Sequence, residues 1–342
     1  MSVFQKIAEK IKPRPTDVNG IDFDTSGTKI LRMRKTGEDL SLTGIDILPP
    51  VDCSQKEMAT SSLSIPAKLR ASYAAISVSI PGTSLKLLTT PGAIDASFEN
   101  KLARNLGLPE DTTDRLGYRV LQEGSGRSES RILAVGLPEP AASNCLRLFA
   151  SGLPAPWRLG ASAVETLTAF EAGPIATAEP RTIGLLDFYA KRCCFSIFHN
   201  KSLVLLRCFE FGMEDVFRKI TTSLNVDMTT AASILSDEAF DISDLLHDIL
   251  QPLLTQLVVS RDFIERRDNC SLQSISICGL FSDSDTAIEK MEQALNIPVS
   301  PWDPFDIPRL TIASPLPPEF DTRRWRFAAA LGAAIATFEE SP

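Results

Sequence analysis

Asp22, Asp24, Thr25 and Lys29 fall within one short stretch, GIDFDTSGTK (20–29). An apolar run leads there into acids, small hydroxyl residues, a glycine and a lysine. That mixture suits a turn that holds phosphate: glycine lets main-chain N–H groups come close, hydroxyls donate, and an ammonium neutralises. A second apolar run ends in an acid at TIGLLDFYAKRCC (182–194), which carries Asp187, Tyr189 and Cys193. Gly212 and Gly279 close two further apolar runs, in RCFEFGMEDV and SISICGLFSD, with Leu280 following the second. Chemistry that needs histidine or a metal has little to work with. The chain has two histidines, His199 and His247, and its seven cysteines show no C-x-x-C spacing. That argues against a zinc site and against a disulfide framework. Cys193 and Cys194 are read as buried thiols.

These residues need strand ends to position them. VNGIDF, TKILRMR and LSLTGIDIL read as three strands separated by turns at DTSG and KTGED. A short helix ending near Tyr73 and a β-rich run, AISVSI (75–80), follow. Residues 84–155 read as an α+β module of strands, a helix near 93–106, the EGSGRSES hairpin turn and a helix near 139–151. A second three-strand meander then starts at TIGLLDFYA, with a tight turn at Asn200-Lys201. Met213 to Arg267 is mostly helical, and its last long helix aims Leu246, Ile249, Leu250, Leu253, Leu254, Leu257 and Val258 at a core, with Pro252 as a kink. The strand LQSISICG, a helix over 284–295 and a closing helix from about Arg323 complete the order. Each half thus opens with a meander whose first strand ends near an aspartate.

At 342 residues the chain can hold two cores, and its 44% hydrophobic and 23% charged residues are ordinary for a globular protein. The net charge of -8 leaves no basic surplus for nucleic acid. FAAALGAAIATF (327–338) is too short for a bilayer, which needs about 20 residues, so it reads as a buried helix of small residues. Residues 1–17 read as a leader helix, with Phe4, Ile7 and Ile11 on one face.

In this order and spacing the chain resembles the PilM family of type IV pilus assembly, actin-like proteins related to FtsA. The landmarks are GIDFDTSGTK, VSIPGTSLKLLTTPG, DRLGYRVL, RCFEFGMEDV, SISICG, NIPVSPWDPF and WRFAAALGAAIA, and they extend from about Val18 to Thr337. The resemblance implies an α/β chain with the actin-like ATPase fold. Its first lobe would take 18–83 and 156–180, with a closing helix at 323–338. A small inserted SHS2-like module would take 84–155, and a second lobe 181–322.

The nucleotide motifs of that family are degenerate here. Its first loop has the form D-x-G-S/T-x-x-x-K; Asp22, Thr25 and Lys29 match it, but Asp24 stands at the glycine. A bare carboxylate there would repel polyphosphate by roughly 4 kcal/mol at 4 Å. The second loop, D-x-G-x-x-x-T, keeps Asp187 but has Tyr189 for glycine and Cys193 for threonine. The adenosine loop keeps Gly279 and is followed by Leu280 and Phe281, a glycine pair is reduced to Gly212-Met213, and the ribose helix AASILSDE lacks its Glu and Lys at the expected places. The resemblance therefore implies a vestigial cleft with no catalytic residue, metal or cofactor. The chain would be a cytoplasmic scaffold, peripheral to the inner membrane, that binds the N-terminal tail of a PilN-like membrane protein in a groove walled by parts of 76–90 and 116–121. A pilus assembly ATPase is a further partner. The alternative is an active, divergent ATPase that uses ATP and Mg. An FtsA-like membrane tether and a sugar kinase fit the residues less well, because neither a basic amphipathic tail nor working phosphate loops are present.

Overall fold

The computed structural model describes residues 14–54, 63–95, 97–125, 128–149, 152–177, 179, 181–236 and 240–339. Of the expected leader helix, 1–17, residues 1–13 lie outside that set, and Asp17 already begins a strand. The chain divides into two units, drawn from 1–81, 139–174 and 304–342, and from 82–138 and 175–303.

In the first unit β1 (Asp17–Asp24), β2 (Gly27–Thr36) and β3 (Asp39–Leu48) form the expected antiparallel meander. β4 (Tyr73–Val78) and β8 (Ala155–Ala161) continue the sheet in parallel beyond β1. β14 (Leu310–Ile312) runs parallel to β3 at the other edge, so the order is β14-β3-β2-β1-β4-β8. β1 is buried from Val18 to Phe23, as a strand covered on both faces must be. Two helices, α3 (Ser162–Phe170) and α8 (Ala328–Glu339), pack on each other and on this sheet. α8 is the expected small-residue helix, buried from Ala328 to Phe338. Its side chains are small because the backbones touch. A Cβ on Gly332 would lie 1.7 Å from the Glu165 carbonyl oxygen, and one on Gly20 would lie 2.0 Å from that of Ala330. The helix expected to end near Tyr73 is instead a single 3-10 turn, Ala67–Leu69, and Tyr73 opens β4.

The second unit repeats the plan. β9 (Thr182–Phe188), β10 (Cys193–His199) and β11 (Ser202–Phe209) form a meander, and β12 (Ser274–Cys278) and β13 (Val299–Pro301) extend it in parallel. The order β11-β10-β9-β12-β13 matches β3-β2-β1-β4-β8 strand for strand. Asn200 and Lys201 make the tight turn with φ of 48° and 68°. Four helices, α4 (Met213–Leu224), α5 (Met228–Ser236), α6 (Ser243–Asp268) and α7 (Asp285–Leu295), supply the rest of the core, where Leu246, Leu250 and Leu257 join Phe195, Ile197 and Ile277. Pro252 lies exposed inside α6, which runs on to Asp268. A separate sheet of order β5-β7-β6 is made by β5 (Ser84–Pro91), β6 (Arg115–Gln122) and β7 (Glu129–Leu137). Helix α1 (Ser97–Leu106) covers it through Phe98, Leu102 and Leu106.

The division departs from the expected bounds. Residues 304–322 belong to the first unit because they carry β14, which pairs with β3. Residues 139–155 belong there because α2 (Glu139–Arg147) is tied to Cys53 and because β8 begins at Ala155. Two disulfides, Cys53–Cys145 and Cys194–Cys208, also correct the expectation of unpaired thiols. The first joins positions 92 apart in sequence, which no local spacing announces; the second joins residues facing each other across β10 and β11. Cys193, Cys270 and Cys278 are free.

Candidate functional site

The sequence-predicted residues assemble as two sets, one in each unit. Asp22, Asp24, Thr25 and Lys29 lie in the first unit, and Asp187, Tyr189, Gly212, Gly279 and Leu280 in the second.

In the first set, Asp24 pairs with Gly27 across a two-residue turn of Thr25 and Ser26, and Gly27 takes φ +132°, a conformation that favours glycine. Lys29 sits on β2 opposite Asp22. Its side chain is 4% exposed, and its ammonium donates to Asp24 Oδ2 at 2.6 Å and to Ser26 Oγ at 2.7 Å. Ser26 Oγ and Thr25 Oγ1 donate to the same carboxylate, at 2.8 and 3.3 Å. Burial pushes the Asp24 carboxyl up, but the Lys29 charge and hydrogen bond, with Ser26 and the Thr25 amide, outweigh it and hold Asp24 below the usual carboxylate range. The carboxylate expected to stand bare before a polyphosphate is thus neutralised within the turn. What a polyphosphate loses here is the lysine.

Asp22 is buried and differently held. Its Oδ1 accepts from Ser77 Oγ on β4 and from Ser162 Oγ at the start of α3, both at 2.7 Å. Burial raises its carboxyl above the ordinary range, against the Lys29 charge and the two hydroxyls that lower it. Ser77, Ser162 and Ser26 were not singled out from the sequence. A serine inside the apolar strand AISVSI is the one available signal, since a buried hydroxyl needs a partner. Beside the turn a shallow pocket is lined by Phe23, Asp24, Val51, Cys53, Val78 and Ile80, among others.

In the second set, the Tyr189 hydroxyl donates to Asp187 Oδ2, so the phenol folds back onto the acid at the end of its own strand. The segment 189–192 is closed by Tyr189 N donating to the Arg192 carbonyl at 2.8 Å. Gly212, before α4, packs on that segment so tightly that a Cβ would lie 2.4 Å from the Ala190 carbonyl. Met213 N and Glu214 N, the first amides of α4, donate to the Tyr189 and Ala190 carbonyls at 3.0 and 2.8 Å. The helix N-terminus that could receive an anion is occupied by the chain itself. Gly279 has φ +109° and abuts Phe188, while Leu280 opens a 3-10 turn whose Phe281 is buried against Phe188 with ring centroids 4.8 Å apart. Burial, then the Asp187 charge, pushes the Cys193 thiol far above its usual range, so it stays protonated. Cys278 is raised by burial, by the Asp187 charge and by a hydrogen bond to Asp187.

These contacts do not fit Mg-ATP. The ammonium, the acid and the helix amides that would meet phosphate are each engaged inside the fold. Among the described residues, no group of three or more His, Cys, Asp or Glu is placed to hold a metal ion, and no helix is long and apolar enough to cross a membrane.

No family model and no curated protein matches the chain. Solved structures do. A PilM–PilN type IV pilus biogenesis complex is similar over 96% of this chain and 100% of its own, at 18% identity and a TM-score of 0.75. A Bacteroides thetaiotaomicron protein of actin-like ATPase fold and unknown function covers 89% and 95% at 10% identity, with a TM-score of 0.47. The ethanolamine utilization protein EutJ from Carboxydothermus hydrogenoformans covers 95% and 91% at 10% identity, with a TM-score of 0.43. The chain has the actin-like ATPase fold in its PilM-like form.

Proposed function

We propose that this chain is a PilM-like cytoplasmic scaffold of a type IV pilus or type II secretion-like inner-membrane assembly platform, and that it works without nucleotide. Its partner is the short N-terminal cytoplasmic tail of a PilN-like membrane protein, with a pilus assembly ATPase as a second partner. The full-length likeness to the PilM–PilN complex supports the scaffold reading. The observation that carries nucleotide independence is the Lys29–Asp24 ion pair, which consumes the cation of the first loop. On this reading Asp22, Asp24, Thr25, Lys29, Asp187, Tyr189, Gly212, Gly279 and Leu280 are vestigial, and the β5-β7-β6 sheet with α1 is the inserted SHS2-like module. An extended tail gains affinity from main-chain pairing and register from side-chain pockets. Membrane contact runs through the partner, because a net charge of -8 gives no attraction to anionic headgroups.

The test is calorimetric titration of the nucleotide-free chain with a synthetic N-terminal tail of a PilN-like protein from the same gene neighbourhood. Binding at roughly micromolar Kd, unchanged by Mg-ATP, is the expected result. No heat up to about 1 mM peptide rejects the partner assignment.

A second reading, an active ATPase with a divergent pocket, draws on one observation: Asp22 and Lys29 still face each other in register on β1 and β2.

A further inference from the structure

Cys53 lies on the wall of the pocket beside the first turn, with Asp24, Val51, Val78 and Ile80. Its sulfur is bonded to that of Cys145 on α2, and the neighbouring Asn144 amide donates to the Cys53 carbonyl at 3.1 Å. Both sulfurs belong to buried residues, yet of the two only Cys53 borders the pocket. We propose that Cys53–Cys145 is a redox latch that fixes residues 51–54, one wall of this pocket, against α2.

The inference rests on the cytoplasmic placement proposed above. A glutathione-reduced compartment keeps protein thiols reduced, so the latch stands open there and closes on oxidation by a small-molecule disulfide. The Cys53 thiolate, reached through the pocket, attacks that disulfide and forms a mixed disulfide, releasing one small thiolate. The Cys145 thiolate then attacks the Cys53 sulfur and releases the second. The two protons given up by the cysteines are taken by the two released thiolates, and the two electrons end on the small molecule. The Cα separation of 5.5 Å lies inside the range a disulfide spans.

The test uses the full chain, reduced and then equilibrated in glutathione buffers of rising disulfide content. Alkylation and mass mapping follow the sulfurs, and amide hydrogen exchange follows residues 51–54. The expected result is a linked 53–145 peptide with no lasting glutathione on Cys53, and exchange in 51–54 slowed about tenfold. Cys145→Ser should trap glutathione on Cys53 and lose the slowing. Cys53→Ser should lose both linkage and slowing, whereas Cys194→Ser with Cys208→Ser should keep both. Absence of the linkage in every buffer, or linkage with unchanged exchange, overturns the proposal. Neither readout involves the peptide partner, so this inference and the scaffold reading fail separately.

Discussion

At the first turn the Asp24 carboxylate accepts from the Lys29 ammonium and neutralises it inside the fold. Asp24→Asn removes the negative charge that pairs with the nearly buried Lys29 ammonium, and breaking such a pair costs about 3 kcal/mol; urea unfolding at neutral pH should show that loss. The pH dependence has a definite sign. Asp24 is held below its unfolded value, so its contribution is complete above the ordinary carboxylate range and is lost as pH falls through the lower, folded value. Asp22 is raised, so its ionised form costs stability above its folded value, and acidification towards the ordinary range relieves that cost. Asp24→Asn should therefore flatten the acid limb of the stability curve, and Asp22→Asn should remove the gain on mild acidification. An acid limb as steep in Asp24→Asn as in the parent contradicts this assignment. The identities of Asp22, Asp24 and Lys29 were legible in GIDFDTSGTK, but their pairing was not. Whether Asp24 faces a ligand or its own lysine depends on a two-residue turn, and the Ser77 and Ser162 that hold Asp22 are 55 and 140 positions away.

Close backbone approach helps to set the elements that carry these residues. Gly332→Ala places a methyl against the Glu165 carbonyl, between α8 and α3, and should cost about 3 kcal/mol, the upper end for overpacking. Gly37→Ala is the control. It lies in an exposed turn with φ +62° and nothing within 4 Å of its Cβ, and should cost about 1 kcal/mol. Equal losses in the two variants would mean that the helix contact does not govern the packing. Both meanders and α8 were readable because apolar runs, turn residues and small-residue composition are local signals. The 3-10 turn before Tyr73 and the three-residue β14 were not, because each is too short to impose a period on the sequence.

At the scale of the whole molecule the same strand order appears twice, once in each unit. The repeat was visible from the two meanders. The division into units differs from the expected bounds where β14 and α2 join the first unit through long-range pairings, with β3 and with Cys53, that no local signal announces. On the function proposed above, groups of the fold itself satisfy those that would bind nucleotide: Asp24 on Lys29, Tyr189 on Asp187, and carbonyls of 189–190 on the first amides of α4. That is the central claim, and thermal unfolding of the wild-type chain with and without Mg-ATP tests it most directly. A ligand at a hundred times its Kd adds about 2.7 kcal/mol, which for a chain of this size raises the midpoint by about 5 °C. The account predicts no shift at about 5 mM Mg-ATP; a rise of several degrees would contradict it.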